Sequence, residues 1–342
     1  MISAEETDPL RRERAVPAAR SLVALLRLGD WWPHLVPVIL ACLYACLVLG
    51  AEAVTLARRL PWFLVALVAL ASFGYLLNDL ADAEQDRRVG RRRAAFLRPA
   101  QHRALVVLSL LVGLLGWTLL AAPPAASLLL ALQLALLVAY SVPPLRLKER
   151  GLLGVIADAL YGHVLPVAIT LLVFAPAPGV APVALAVVLW SLAKGLRNIL
   201  LHQIEDRKRD RRAAVRTLLS RRPPLAVLSA INRGLLPLEI VALSVLLVVL
   251  APAWWGFVAF LVFTFLKFSA WKLWSLPKRY RRLKFLWFLN DFYEEWIGPI
   301  LILILAATDG RWLLLLPLHL LLFPRLLRRM GQDLPTIGRN LQ

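Results

Sequence analysis

Charge is scarce in this chain: 18% of its 342 residues are Asp, Glu, Lys or Arg, where a soluble domain carries about a quarter. Acids are scarcer still, 21 against 40 Lys and Arg, which leaves a formal net charge of +19. No nucleic-acid-binding motif accompanies that excess, so it reads as basic loops lying against anionic lipid, and no nucleic-acid partner is expected. There are two cysteines, Cys42 and Cys46, one helical turn apart in an apolar stretch. Two thiols alone make no zinc site, and an intrahelical disulfide is excluded by their spacing. They read as small core- or lipid-facing residues. The first 20 or so residues have no apolar core followed by a cleavage site, so no cleavable signal peptide is expected.

Long apolar runs, by contrast, are plentiful. Hydrophobic residues make up 60% of the chain and the mean hydropathy is +0.70. The runs lie near 33–50, 61–80, 103–122, 125–142, 152–174, 181–203, 224–250, 253–276, 284–307 and 311–329. Most approach the ~20 residues needed to cross a hydrocarbon layer of ~30 Å. The breaks after the second, fourth, sixth and eighth runs are rich in Arg and Lys, and those after the third, fifth and seventh carry no charge. With basic loops inside, ten crossings put both termini in the cytoplasm. The expectation is an all-α polytopic membrane protein: a cytoplasmic tail (1–20), one transmembrane domain (21–330) and a C-terminal tail (331–342). Both tails are expected to be disordered. The Ala-, Leu- and Arg-rich usage points to a bacterial plasma membrane.

Two acidic motifs interrupt this apolar background. The second run ends in Asn78, Asp79, Asp82 and Asp86, of which Asn78, Asp82 and Asp86 lie four apart and so share one helix face. Clustered carboxylates repel, and near a membrane they persist when a cation neutralises them. Magnesium prefers oxygen ligands and binds through one or two carboxylates plus substrate phosphates. After the sixth run, Lys194, Asn198, His202, Asp206 and Asp210 follow at steps of four. Lipid does not tolerate such a stripe, so it faces a cavity in the bundle. His202, alone among hard oxygen ligands, does not argue for zinc. Between the motifs, Tyr140 to Gly151 contains a rigid Pro143-Pro144 turn. Arg146, Lys148 and Arg150 alternate beyond it on what reads as an extended stretch, cations suited to a diphosphate. Inside the ninth run, Asn290, Asp291, Glu294 and Glu295 form two polar strips. They read first as an interfacial start paired with Arg281, Arg282 or Lys284, and alternatively as acceptor recognition.

These residues carry a resemblance. Asn78-Asp79-x-x-Asp82-x-x-x-Asp86, then Tyr140-Ser141 through Pro144-Leu145-Arg146-Leu147-Lys148 with Gly151, then His202-Gln203-x-x-Asp206-x-x-x-Asp210 with Val215-Arg216-Thr217, resemble in order and spacing the three signatures of the UbiA-type membrane prenyltransferase superfamily. The resemblance implies a bundle of nine to ten helices around a central cavity and a Mg2+-dependent transfer from a polyprenyl diphosphate to a lipophilic or aromatic acceptor. It implies metal ligation or orientation by Asn78, Asp79, Asp82, Asp86, Asp206 and Asp210. Arg146 and Lys148 would hold the diphosphate, with Lys194, Asn198 and His202 as further substrate contacts. Asn78, Asp82, Tyr140 and Asp206 are the implied catalytic set, Tyr140 steadying an allyl cation. The sequence departs from the family after the first motif, where Val89-Gly90-Arg91-Arg92-Arg93 and Arg98-Pro99 lack an Arg-Pro-x-x-x-Gly signature. Phosphoribosyl transfer to a polyprenyl phosphate and terpene cyclisation stand as alternatives on the same fold, and a membrane transporter as the alternative of another class.

Overall fold

A computed structural model describes residues 22–88, 98–176, 181–212, 217–250 and 254–341. The 1–20 tail, the segment 89–93 and Val215-Arg216 lie outside them. The described residues are helical throughout, with no strand among them. The long helices are α1 (Leu28–Val48), α2 (Ala53–Arg88), α3 (Pro99–Leu120), α4 (Pro124–Ser141), α5 (Leu152–Phe174), α6 (Ala181–Arg212), α7 (Pro224–Leu250), α8 (Trp254–Ala270), α9 (278–308), α10 (Gly310–Leu322) and α11 (Arg325–Leu341). Pro99, Pro124 and Pro224 open α3, α4 and α7. Proline is well suited to that position because its missing N–H has no helical partner there in any case.

The apolar runs explain which helices are inside. α1 is apolar all round from Val36 to Cys46 and is buried over that whole stretch, as a helix without a polar face must be. Cys42 and Cys46 are free and buried there. α5, α6, α7 and α9 pack around it through Leu165, Val187, Leu243 and Ile302. α3 and α4 instead expose Leu111, Leu115, Leu128 and Leu132, the surface a bilayer covers. α3 approaches α2 through glycine: a Cβ at Gly116 would lie 3.0 Å from the Ala66 nitrogen and 3.2 Å from the Trp62 carbonyl oxygen. Backbone cannot yield as a side chain can. Gly116→Val should therefore destabilise the protein by about 1–3 kcal/mol, read as a lower melting temperature in detergent with the donor KM unchanged.

Among the described residues seven helices are long and apolar enough to cross a membrane, or eight if the bent pair α10–α11 counts as one span. The ten expected crossings differ from this in their last three members. α8 is apolar but short, and α9 carries the polar strips. The run 311–329 is not one straight helix: the chain breaks at Phe323-Pro324 and α11 leaves α10 at 77°. Proline at the break cannot continue the helical ladder. α11 lies back against α8, where Lys267 donates to Asp333 at 2.8 Å and Asn340 donates to the Ser269 carbonyl at 2.9 Å. The C-terminal residues expected to be disordered are thus helical and anchored as far as Leu341.

Three helices contain a π-turn: Leu160–Val164 in α5, Ile231–Leu235 in α7 and Phe292–Trp296 in α9. Each adds a residue and rotates the following face by about 100°. Tyr161, His163 and Glu294 are presented to the interior from two of these turns.

Candidate active site

A cavity of about 1110 Å³ opens into the bundle. Its apolar wall includes Val38, Phe63, Leu67, Leu70, Leu130 and Val167, and its polar wall includes Asn78, Asp82, Tyr140, Lys148, Asn198 and His202.

The first motif and the middle segment meet directly. Arg146 has a left-handed backbone (φ 38°, ψ 56°), and Leu147–Glu149 form a single 3₁₀ turn. The extended stretch read from the sequence is therefore absent. Coiling this segment separates the three cations, turning Arg146 and Lys148 toward α2 while Arg150 bonds the Pro144 carbonyl at 2.9 Å. Asp82 Oδ1 accepts from Arg146 Nη2 at 2.8 Å and from Lys148 Nζ at 2.5 Å. Asn78 Oδ1 accepts from Lys148 Nζ at 2.9 Å and from Ser141 Oγ at 3.3 Å. Arg146 is further held by Gln85 at 2.7 Å and Glu149 at 2.6 Å. Burial is the largest influence on Lys148 and takes its pKa below the ordinary lysine value, with Asp82 opposing. For Arg146 burial also works against the charge, but hydrogen bonds to Glu149 and Asp82 raise its pKa overall.

The other predicted residues are distributed unevenly. Asp79 is buried on the adjacent strip of α2 and pairs with Arg27, away from the cavity. Lys194, Asn198 and His202 do line the cavity, as the stripe required. Lys194 lies 3.7 Å from Glu294 and over the rings of Trp190 and Tyr293. Asn198 accepts from Asn290 at 3.0 Å, and His202 packs edge-on against Trp287. Beyond His202 the stripe reaches the cavity through Glu205; among the described residues Asp86, Asp206 and Asp210 do not border it. Tyr140 stacks against Tyr161 with ring centroids 5.1 Å apart and lies within electrostatic range of both Asp82 and Asp210.

The ninth-run cluster has partners other than those read from the sequence. Asn290, Glu294 and Glu295 are buried. Asn290 accepts from Arg197 at 2.8 Å, Asp291 pairs with Arg329, and Glu295 lies 3.2 Å from Arg329. Glu294 meets Lys194 and His34, while Lys284 stands over the Trp271 ring. These cations come from distant helices that close on α9, so Asn290, Glu294 and Glu295 are interior to the bundle, while the Arg281 and Arg282 side chains lie outside the described residues.

Sequence reasoning also passed over cavity-lining groups. Asp158, bonded by Tyr161 at 3.0 Å, and His34 both border the cavity. Each is an isolated polar residue in an apolar run, and that isolation is the signal that could have found them.

Among the described residues no three His, Cys, Asp or Glu side chains gather as a ready-made metal cage. The hard-oxygen donors that the structure brings together at the cavity are Asn78 and Asp82. That set suits magnesium shared with a phosphate ligand, which needs only one or two carboxylates, so the residues fit the ion.

A bundle of long apolar helices around a cavity lined by acids, amides, cations and apolar side chains is the architecture of an integral membrane protein. The UbiA prenyltransferase family matches residues 36–292, well over half of the chain, and the chain belongs to that family. A lycopene elongase/hydratase from Haloarcula japonica is 33% identical over 216 residues, covering 60% of this chain and 70% of its own length. The fold resembles that of a UbiA homolog from Archaeoglobus fulgidus bound to DMAPP and Mg2+, with a TM-score of 0.52 at 16% identity over 92% of this chain and 98% of that one. It also resembles a digeranylgeranylglyceryl phosphate synthase, with a TM-score of 0.59 at 15% identity over 82% of this chain and 96% of that one. Family membership selects the prenyltransferase reading over the transporter.

Proposed function

We propose that the protein transfers an isoprenyl group from a prenyl diphosphate to a long apolar polyene, with magnesium as cofactor. The observation that carries this is the convergence of Lys148 and Arg146 on Asn78 and Asp82 in a cavity that also has an apolar wall of Phe63, Leu67 and Leu70. A diphosphate suits the cationic end, and an isoprenoid tail suits Phe63, Leu67 and Leu70. The acceptor class follows the name of the Haloarcula japonica relative, and it agrees with the apolar wall. In this reading α8 and α9 belong to the bundle, and the Arg-rich breaks support a mouth on the cytoplasmic side.

Asn78, Asp82, Asp206 and Asp210 would hold the magnesium, which when bound neutralises the diphosphate and improves it as a leaving group. Lys148 and Arg146 bear on the departing oxygens, exchanging their bonds to Asp82 for bonds to phosphate. Tyr140 and Tyr161 offer ring faces to the allylic cation. The apolar wall keeps water from it until the acceptor's double bond attacks.

The test is magnesium-dependent release of diphosphate in detergent from a panel running from dimethylallyl to geranylgeranyl diphosphate, with lycopene as acceptor. Release together with a prenylated polyene is expected. No release from any donor would refute the reading, and cyclised product without acceptor would make the protein a cyclase.

A further inference from the structure

The acceptor half of the reaction needs a group the donor machinery does not supply. Once the acceptor's π electrons have formed the new C–C bond, the acceptor carries a positive charge. It becomes neutral by losing a proton from the adjacent carbon, the C–H pair becoming a new double bond. The groups at Asn78 and Asp82 are committed to the donor and to Lys148 and Arg146.

A different pair faces the same cavity. His34 projects from α1, and its side chain is 55% exposed, bordering the cavity. Its Nδ1 lies 2.8 Å from Glu294 Oε2. Glu294 is buried in the π-turn of α9, and its other oxygen lies 3.7 Å from Lys194 Nζ. A carboxylate at Nδ1 keeps the ring proton there and leaves the Nε2 lone pair for the cavity. The carboxylate is also in place to stabilise the imidazolium that forms when Nε2 takes a proton, the logic of an oriented base in a dyad. His34 lies within electrostatic range of His163 and His202, which border the same cavity. The dyad therefore belongs to the reaction chamber.

We propose that His34 Nε2 is the general base that takes the proton from the prenylated acceptor, with Glu294 as the positioning residue that sets its tautomer. This rests on the prenyl-transfer reading and on a carbon acceptor whose cation is neutralised by proton loss and not by capture of water. The proton then leaves His34 for water at the mouth, and overall a prenyl diphosphate and an acceptor C–H give product, diphosphate and one proton.

The experiment uses the full chain in detergent with magnesium and radiolabelled dimethylallyl or geranylgeranyl diphosphate. Lycopene or a total membrane lipid extract serves as acceptor. Diphosphate release and label in extracted lipid are measured separately. For His34→Ala and His34→Asn, labelled product should fall about 10²–10⁴-fold while diphosphate release stays within about threefold of wild type, the label appearing as free prenyl alcohol. Added imidazole should restore product in His34→Ala, an effect that loss of packing would not show. Glu294→Gln should lose product in the same way, and Glu294→Asp should recover part of it. Wild-type rates of product in the His34 variants would overturn the assignment, and so would an equal fall in release and product. Wild-type protein that releases diphosphate but labels no lipid would overturn the transfer step of the proposed function, and this inference with it. Wild-type protein that releases none would overturn the proposed function, and this inference with it.

Discussion

Asp82→Ala should abolish turnover, by at least about 10³-fold in kcat/KM, while leaving the protein folded. The carboxylate is shared by Arg146 and Lys148 and stands one turn from Asn78. Without it the diphosphate loses both a metal ligand and the group that sets the two cations. Stability should change little. Asp82, Arg146 and Lys148 are each between 14% and 20% exposed, so water can solvate what remains. Arg146 also keeps Gln85 and Glu149, and Lys148 keeps Asn78. Asp82→Asn should be as inactive as Asp82→Ala, because the charge is what matters. Asp206→Ala should behave alike. Assays of product and melting temperature on the same samples check this, and full activity in both alanine variants would remove the acidic motifs from the mechanism.

Arg197→Ala should have the opposite profile and cost about 3–5 kcal/mol of stability. Arg197 and Glu239 are both fully buried, bonded through Nε to Oε2 at 2.7 Å and Nη2 to Oε1 at 2.8 Å. The same guanidinium donates to the Leu286 carbonyl at 2.6 Å and to Asn290 at 2.8 Å. It therefore ties α6, α7 and α9 together, and its removal strands a carboxylate with no water to receive it. Removing both charges with Arg197→Met and Glu239→Leu should recover much of the loss, since no buried charge is then left unpaired, although the Leu286 carbonyl and Asn290 still lose their donor. Unfolding curves in mixed micelles give the double-mutant cycle. A single variant within about 1 kcal/mol of wild type would contradict the account.

The parts legible in the sequence were those fixed by local spacing. Asn78 with Asp82, and Lys194 with Asn198 and His202, lie on single helix faces, and the cavity borders them as i,i+4 geometry requires. Arg146 and Lys148 were legible as cations, although their 3₁₀ turn was not. The remainder depends on long-range closure. Nothing near residue 290 announces that Arg197, Lys267 and Arg329 will close on it, and the π-turn at Phe292–Trp296 shifts the face on which Glu294 and Glu295 emerge. Asp79 lies in the first motif on the strip beside Asn78, and its partner Arg27, far from it in sequence, was not legible there. His34 is a single histidine among apolar neighbours, and only its contact with Glu294, on a helix far along the chain, gives it meaning. The last apolar run looked like a crossing by composition, and Pro324 divides it.

The direct measurement of the donor site is anomalous diffraction from crystals grown with Mn2+ and a non-ionising thiolodiphosphate analogue of the donor. Two peaks are predicted, one beside Asn78 and Asp82 and the other beside Asp206 and Asp210, with the diphosphate between them and Lys148 and Arg146 on its oxygens. A diphosphate bound with no metal at these acids, or metal bound elsewhere in the cavity, would contradict it.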